Sequence, residues 1–269
     1  MCETSMSHCD LVGRNPRLRR DGGAFRDYPL PSFCLILMLF LALPAFGWTE
    51  EMHPAEDWHL LYPKIRDRLV PKDEAGVKLK ELERALGDFY LRTRDRKEEP
   101  LLFPLKGYDA TSIGGKRGNG YQAQGYDFFD GSGHKGHPGH DIFIRDRNQD
   151  GLDDVTGEPV MVVSSSSGIV VSVNIAWAPS SPIRGGNYIW IYEPVKSRYF
   201  YYAHLNEVFV RVGQIVSIGN RLGTVGRTGV NAYRTRSPTH LHFTIHQSGD
   251  GYPKPIDPYP ELVKVRESK

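Results

Sequence analysis

The sequence predicts a mainly β domain preceded by a short helical segment. Three observations predict it. Beyond Pro104, short runs of β-branched and aromatic residues alternate with glycine-rich turns. Glycine (28) and proline (19) are abundant in a chain of 269 residues, as many turns and short strands require. Helical periodicity is confined to one charged stretch, residues 54–99.

Residues 1–47 read as a secretory signal, or an N-terminal anchor if retained. Arg14, Arg17, Arg19, Arg20 and Arg26 precede an apolar run over 33–43, and the small-x-small pattern Ala45-Phe46-Gly47 follows. The run falls short of the ~20 residues a membrane-spanning helix needs. An exported protein is expected, periplasmic or extracellular, with no stable membrane partner unless this segment stays attached. All three cysteines, Cys2, Cys9 and Cys34, lie in it, so the mature chain has no disulfide framework. Beyond residue 47, 29 basic and 28 acidic residues remain. That balance, and the net charge of +2 overall, exclude a nucleic-acid reader, which needs a concentrated basic face.

Residues 48–100 form the helical segment. A shorter helical stretch over 58–69 is broken at Pro71 and Gly76 from an amphipathic helix that carries Leu79, Leu82, Leu86 and Phe89 on one face. Pro100 and Pro104 close it. Packing against the following domain is the expected role, with no part in catalysis. The β domain spans 101–262, with a tail over 263–269. Its strands are expected at 159–163, 168–175, 187–192, 198–203, 214–218, 222–225 and 240–247. Residues 108–139 space Tyr121, Tyr126, Phe128 and Phe129 between glycines, as an ordered loop lining a cleft would.

In Thr239-His240-Leu241-His242-Phe243-Thr244-Ile245, strand alternation puts both imidazoles on one face and the apolar residues on the other. Two such histidines stand about 7 Å apart and can share a metal or its water. A chance pair on an exposed strand is the competing account. His137 and Asp141 are four residues apart across a Pro138-Gly139 bend. That bend can bring an imidazole and a carboxylate to one point, with His242 as third ligand and a fourth position open, the pattern of a catalytic zinc. Alone, His137 and His140 would simply decorate a polar loop; two histidine clusters together make a metal site the more economical account. His204, in Tyr201-Tyr202-Ala203-His204-Leu205, ends an aromatic run that excludes water and suits a proton carrier, although a lone strand-end histidine is usually a surface residue.

The ordered set of His137 with Asp141, His204, and the His240 and His242 pair resembles the lysostaphin-type, or LytM-domain, zinc metallopeptidases over residues 104–258. Asp141-Ile142-Phe143, Gly168-Ile169-Val170 and the glycine-spaced 212–226 stretch agree. The resemblance implies an antiparallel β-sheet domain of LytM type, related to lipoyl-like barrel-sandwiches. It also implies a zinc endopeptidase that cuts the peptide bridges of bacterial peptidoglycan. It makes His137, Asp141 and His242 the zinc ligands, with His204 and His240 beside the bound water, taking its proton and steadying the tetrahedral intermediate. No His-Glu-x-x-His helix is present. Two regulatory or carrier readings compete. A LytM domain that activates a cell-wall amidase without hydrolysis typically lacks ligands, and a lipoyl-like carrier would need a lysine where Gly219-Asn220-Arg221 offers none.

The sequence departs from the family in an insertion over 145–157 and in a longer basic loop over 231–238 with Arg234 and Arg236. Tyr121 and Tyr126 are the candidates for the family's cleft tyrosine. Within the insertion, Asp146, Asn148, Asp150, Gly151 and Asp154 match the opening half of a calcium loop. Its closing glutamate, Glu158, comes one residue late and no flanking helices are evident. A turn built from Asx side chains competes with calcium and is favoured.

Overall fold

The computed structural model describes residues 52–95 and 97–265. The leader reading of residues 1–47, with its three cysteines, lies outside them. Among the described residues no helix is long and apolar enough to cross a membrane.

Helix α1 (Pro54–Arg66) begins with proline in its first turn, where a missing N–H costs nothing, and His53 Nδ1 accepts from Ala55 N at 3.1 Å. It buries Ala55, Trp58, Leu61 and Ile65, a three-and-four spacing that makes one apolar stripe. It therefore starts and ends earlier than the expected 58–69. Helix α2 (Lys72–Thr93) follows with Pro71 at its N-cap, as the sequence break required. Gly76, expected to break the helix as well, lies inside it and is buried. A Cβ there would come within 2.5 Å of the Tyr252 ring, so this glycine is a point of close packing. Leu79 and Leu86 are fully buried as expected, with Leu82 and Phe89 packed at their edge.

The strands are β1 (His140–Phe143), β2 (Met161–Val163), β3 (Gly168–Asn174), β4 (Asn187–Glu193), β5 (Arg198–Val208), β6 (Ile215–Val216), β7 (Arg221–Val225), β8 (His240–Gln247) and β9 (Lys254–Ile256), with a short helix α3 (Tyr259–Leu262) last. They form an antiparallel sheet in the order β1-β8-β5-β4-β3-β6, with β7 joining β5 to β2 and β9 beside β8. All seven expected strands are present. Strand β5 continues past Ala203 through a register shift, because Leu205 and Val208 pair with Val225 and Gly223 of β7. Strand β9 was not expected; it pairs with β8 alone, a position that tolerates Pro255, which has no N–H to give to a ladder.

Period-two alternation sends the sheet's two faces into two cores. Ile189, Ile191, Phe200, Tyr202, Leu241, Phe243 and Ile245 face one, together with β2, β6 and β7. The opposite face is aromatic, with Tyr188, Trp190, Tyr192 and Tyr199, and the two helices cover part of it. Each large side chain buried there contributes about 1.5–3 kcal/mol. Glu83 of α2 ties the helix down: its Oε2 accepts from Gly249 N (3.0 Å) and Gly251 N (3.1 Å), and Tyr199 OH donates to Oε1 at 3.1 Å. Trp58 Nε1 donates to the same tyrosine oxygen at 3.1 Å. The uncovered remainder of this aromatic face becomes a cleft.

Candidate metal centre

Strand register assembles the site. In the β1–β8 ladder Asp141 stands opposite His242 and Phe143 opposite His240, and directly opposed residues present their side chains to the same face. Asp141 Oδ1 lies 2.9 Å from His242 Nδ1 and 3.6 Å from His240 Nε2. His137 reaches the same oxygen with Nε2 at 3.1 Å. The bend that brings it there depends on Gly139, whose Cβ, if present, would sit 2.3 Å from Phe243 O. His140, one residue out of phase with Asp141, is buried on the other side, with Nε2 2.9 Å from Asp257 Oδ1. It is neither loop decoration nor part of the site.

Among the described residues, His137, Asp141 and His242 are the group whose donor atoms converge as a metal requires, all within 4.8 Å of one another. Bonds of about 2.0–2.2 Å to a tetrahedral zinc place ligand atoms roughly 3.3 Å apart, close to the 3.1 and 2.9 Å at which His137 and His242 stand from Asp141. The hydrogen bonding also calls for a cation. His137 Nδ1 faces Gly120 O at 2.8 Å while Nε2 faces Asp141 Oδ1, and both partners are acceptors. A neutral imidazole has one N–H, so one contact is repulsive unless the ring is protonated or a metal lies between Nε2 and the carboxylate. Burial by itself would raise the Asp141 carboxyl, but the bonds from His137 and His242 override it and hold the group far below the usual carboxylate range.

The other two histidines are fixed differently. His204 Nδ1 faces Thr228 O at 2.7 Å, and His240 Nδ1 faces Pro238 O at 2.7 Å. Each carbonyl takes the Nδ1 proton, leaving Nε2 as the basic nitrogen. The two rings are 4.9 Å apart, and His204 lies 5.9 Å from the His242 ring. Burial, reinforced by the charges of His240 and His242, pulls His204 down to about 3. His204 adopts φ 65°, a left-handed conformation at the register shift of β5 that turns its ring off the regular strand direction. All five expected site residues thus meet in one cleft.

Residues 147–258 match the family model described as peptidase family M23. The chain contains an M23 peptidase domain. The matched span includes His204, His240 and His242. His137 and Asp141 precede it, and the β1–β8 ladder brings them to it. Similar solved structures include one from Ruminococcus gnavus, described provisionally as a glycyl-glycine endopeptidase LytM: 24% identity, 68% of this chain, 70% of that one, TM-score 0.41. A zinc-containing peptidase from Vibrio cholerae is 22% identical over 63% of this chain and 41% of that one, TM-score 0.39. Lysostaphin, an antimicrobial peptidase from Staphylococcus simulans, is 29% identical over 47% and 43%, TM-score 0.33. The chain thus spans less than half the length of the latter two. At these TM-scores the likenesses are loose, and the family match carries the assignment. The sequence matches no curated protein.

The acidic side chains of the insertion are engaged within their own turn, and calcium is not supported. Asp146 Oδ1 and Oδ2 accept from Asp150 N (3.1 Å) and Gly151 N (2.9 Å), and Asp150 Oδ1 accepts from Leu152 N at 2.9 Å. Asp154 accepts from Arg147 N, and Asn148 donates to Asp150 Oδ2 at 2.8 Å. The side chains cap their own turn, which is the Asx reading. Thr239 also donates to Asp146 Oδ2, at 2.6 Å, tying the insertion to the residue before His240.

The cleft has a volume of about 260 Å³. Tyr126 lines it and lies 3.0 Å from His246 Nε2 through its hydroxyl, whereas Tyr121 donates to Pro255 O. His246 escaped the sequence reading, although it continues the alternation His240, His242, Thr244 on the same strand face. Tyr62 and Arg66 of α1 also line the cleft. No pattern in the sequence placed that helix there, because its stripe of buried residues explained it fully.

Proposed function

We propose that this chain is a zinc-dependent endopeptidase that hydrolyses peptide cross-links of bacterial peptidoglycan, acting after export to the periplasm or cell exterior. The peptidase assignment rests on the M23 family. Zinc dependence is supported by one observation above all: His137 Nε2 and His242 Nδ1 both face Asp141 Oδ1, at 3.1 and 2.9 Å. The substrate follows from the resemblance to lysostaphin-type enzymes, and export from the leader-like residues 1–47.

His137, Asp141 and His242 would hold the zinc ion, which would polarise the scissile carbonyl as a Lewis acid and lower the pKa of a bound water to about 7. His204 and His240 then carry the protons. With Nδ1 committed to Thr228 O and Pro238 O, each ring offers Nε2 toward the cleft. One would accept the proton of the attacking water and pass it to the leaving amine; the other, its Nε2 also free, would orient that water by accepting from its second O–H. Aromatic walls from Tyr201 and Trp190 exclude bulk water, so these interactions are weakly screened.

The test is zinc content and cross-link hydrolysis of isolated sacculi by wild type and His242→Ala. Wild type should bind one zinc and release peptides, and the variant should do neither. Zinc and activity retained in the variant would falsify the ligand set. Zinc bound without hydrolysis by wild type would favour an amidase-activating regulator.

A further inference from the structure

The cleft extends beyond the five histidine and aspartate side chains, and its charge there is unbalanced. Asp141 contributes the only carboxylate among the lining residues, and two imidazoles already engage it. Two guanidinium groups line the same space, Arg66 and Arg184. Arg66 is neutralised by Asp67, which accepts from Nε at 2.8 Å and from Nη2 at 2.7 Å. Arg184 has no carboxylate partner among the described residues. It lines the cleft with Nη1 donating to His134 O at 3.2 Å, and its charge opposes protonation of His134 and His137.

Its position is set by the catalytic strand. Gly185 O, one residue on, accepts from His204 N at 2.9 Å, so the loop bearing Arg184 is bonded to the backbone of a proposed proton carrier. Tyr188, Trp190 and Tyr201 line the same cleft, and the Tyr62 ring of α1 packs edge-on against Tyr188 and Trp190. A guanidinium that lines the cleft with no carboxylate partner of its own favours a ligand that brings negative charge and acceptor oxygens.

We propose that Arg184 is a specificity-determining residue that binds a free carboxylate on the peptide substrate, close to the scissile bond. The inference rests on the peptidase reading of the site and narrows it to anionic stem-type peptides over uncharged ones such as a glycine run. Arg66 keeps Asp67 as its partner and, with Tyr62, shapes the wall.

The experiment uses the full chain and three probes: a cross-linked stem-peptide dimer with free carboxylates, the same dimer with them amidated, and pentaglycine. Binding to zinc-free protein is read from tryptophan fluorescence, and hydrolysis is followed with zinc-loaded protein. The free-carboxylate dimer should bind at least about tenfold tighter than the amidated one, and added salt should narrow the gap. Arg184→Gln should erase the preference and raise KM for the free-carboxylate dimer about tenfold, with kcat within about twofold. Arg184→Lys, which keeps the charge but loses the fork, should retain part of it. Equal binding of both dimers by wild type, or a preference that survives in Arg184→Gln, overturns the proposal and leaves the hydrolase reading standing if cross-links are cut. Charge-selective binding without hydrolysis of any probe supports the carboxylate site and removes the hydrolase reading.

Discussion

His242 Nδ1 lies 2.9 Å from Asp141 Oδ1, although 101 residues of chain separate them. The contact follows from antiparallel register, since these two residues are directly opposed in the β1–β8 ladder. Asp141→Asn keeps the shape and removes the charge that balances a divalent ion. Its zinc affinity should fall at least about a hundredfold, read by chelator competition, with the β fold intact by circular dichroism. Wild-type affinity in the variant would mean that the carboxylate is not a ligand.

His204→Ala should separate metal binding from chemistry. The ring touches neither Asp141 nor His137 in the hydrogen-bond network, and its Nδ1 is committed to Thr228 O. Zinc content should therefore stay at the wild-type level while kcat drops about 10²–10⁴-fold, the usual share of a positioned proton carrier. Loss of zinc in parallel would place His204 among the ligands.

Much of this site could be read from the sequence because its logic is local. His240 and His242 share a strand face by alternation alone, and the Pro138-Gly139 bend makes four residues enough to bring His137 to Asp141. What the sequence hid depends on pairs of elements meeting. Arg184 matters because its loop is bonded to His204 and because no acid lies beside it, and neither fact has a sequence pattern. Tyr62 and Arg66 lie on a helix whose buried Trp58 and Ile65 already account for its periodicity. Glu83 carries no sequence pattern that marks it as buried; the backbone N–H groups of Gly249 and Gly251, far along the chain, make its burial tolerable. In the insertion the late Glu158 and the missing flanking helices already favoured the Asx turn, because acidic spacing alone does not distinguish a calcium loop from a turn capped by its own side chains.

The insertion has a structural task that can be measured. Asp146 is buried and accepts from Thr239 Oγ1, Asp150 N and Gly151 N, while Arg227 Nη1 holds Thr239 Oγ1 and Ser237 O from the other side at 3.0 and 2.8 Å. Asp146→Ala leaves several donors without an acceptor and should cost about 2–4 kcal/mol of stability in thermal unfolding. It should also lower kcat with zinc retained, because Thr239 directly precedes His240. Asp146→Asn preserves one acceptor oxygen and should recover part of both losses. A variant with unchanged melting and kcat would show that the loop is merely tolerated.

His246 supplies a pH signature independent of catalysis. Burial, with smaller contributions from the charges of His242 and His134, brings it down from 6.5 to about 3. The unfolded chain therefore binds a proton at this residue between about pH 6.5 and 3 that the folded chain refuses. In that window stability must fall as pH falls, by up to about 1.4 kcal/mol per pH unit for such a group, and above it the penalty disappears. His246→Gln retains a polar side chain toward Tyr126 and Thr244 but has no proton to gain, so its acid limb should be shallower than that of wild type. Denaturant unfolding of zinc-free protein between pH 7 and 4 keeps metal release out of the comparison. Parallel limbs for the two proteins would mean that His246 is protonated in the folded state, and its contact with the Tyr126 hydroxyl would then have to be read as an imidazolium donating to oxygen.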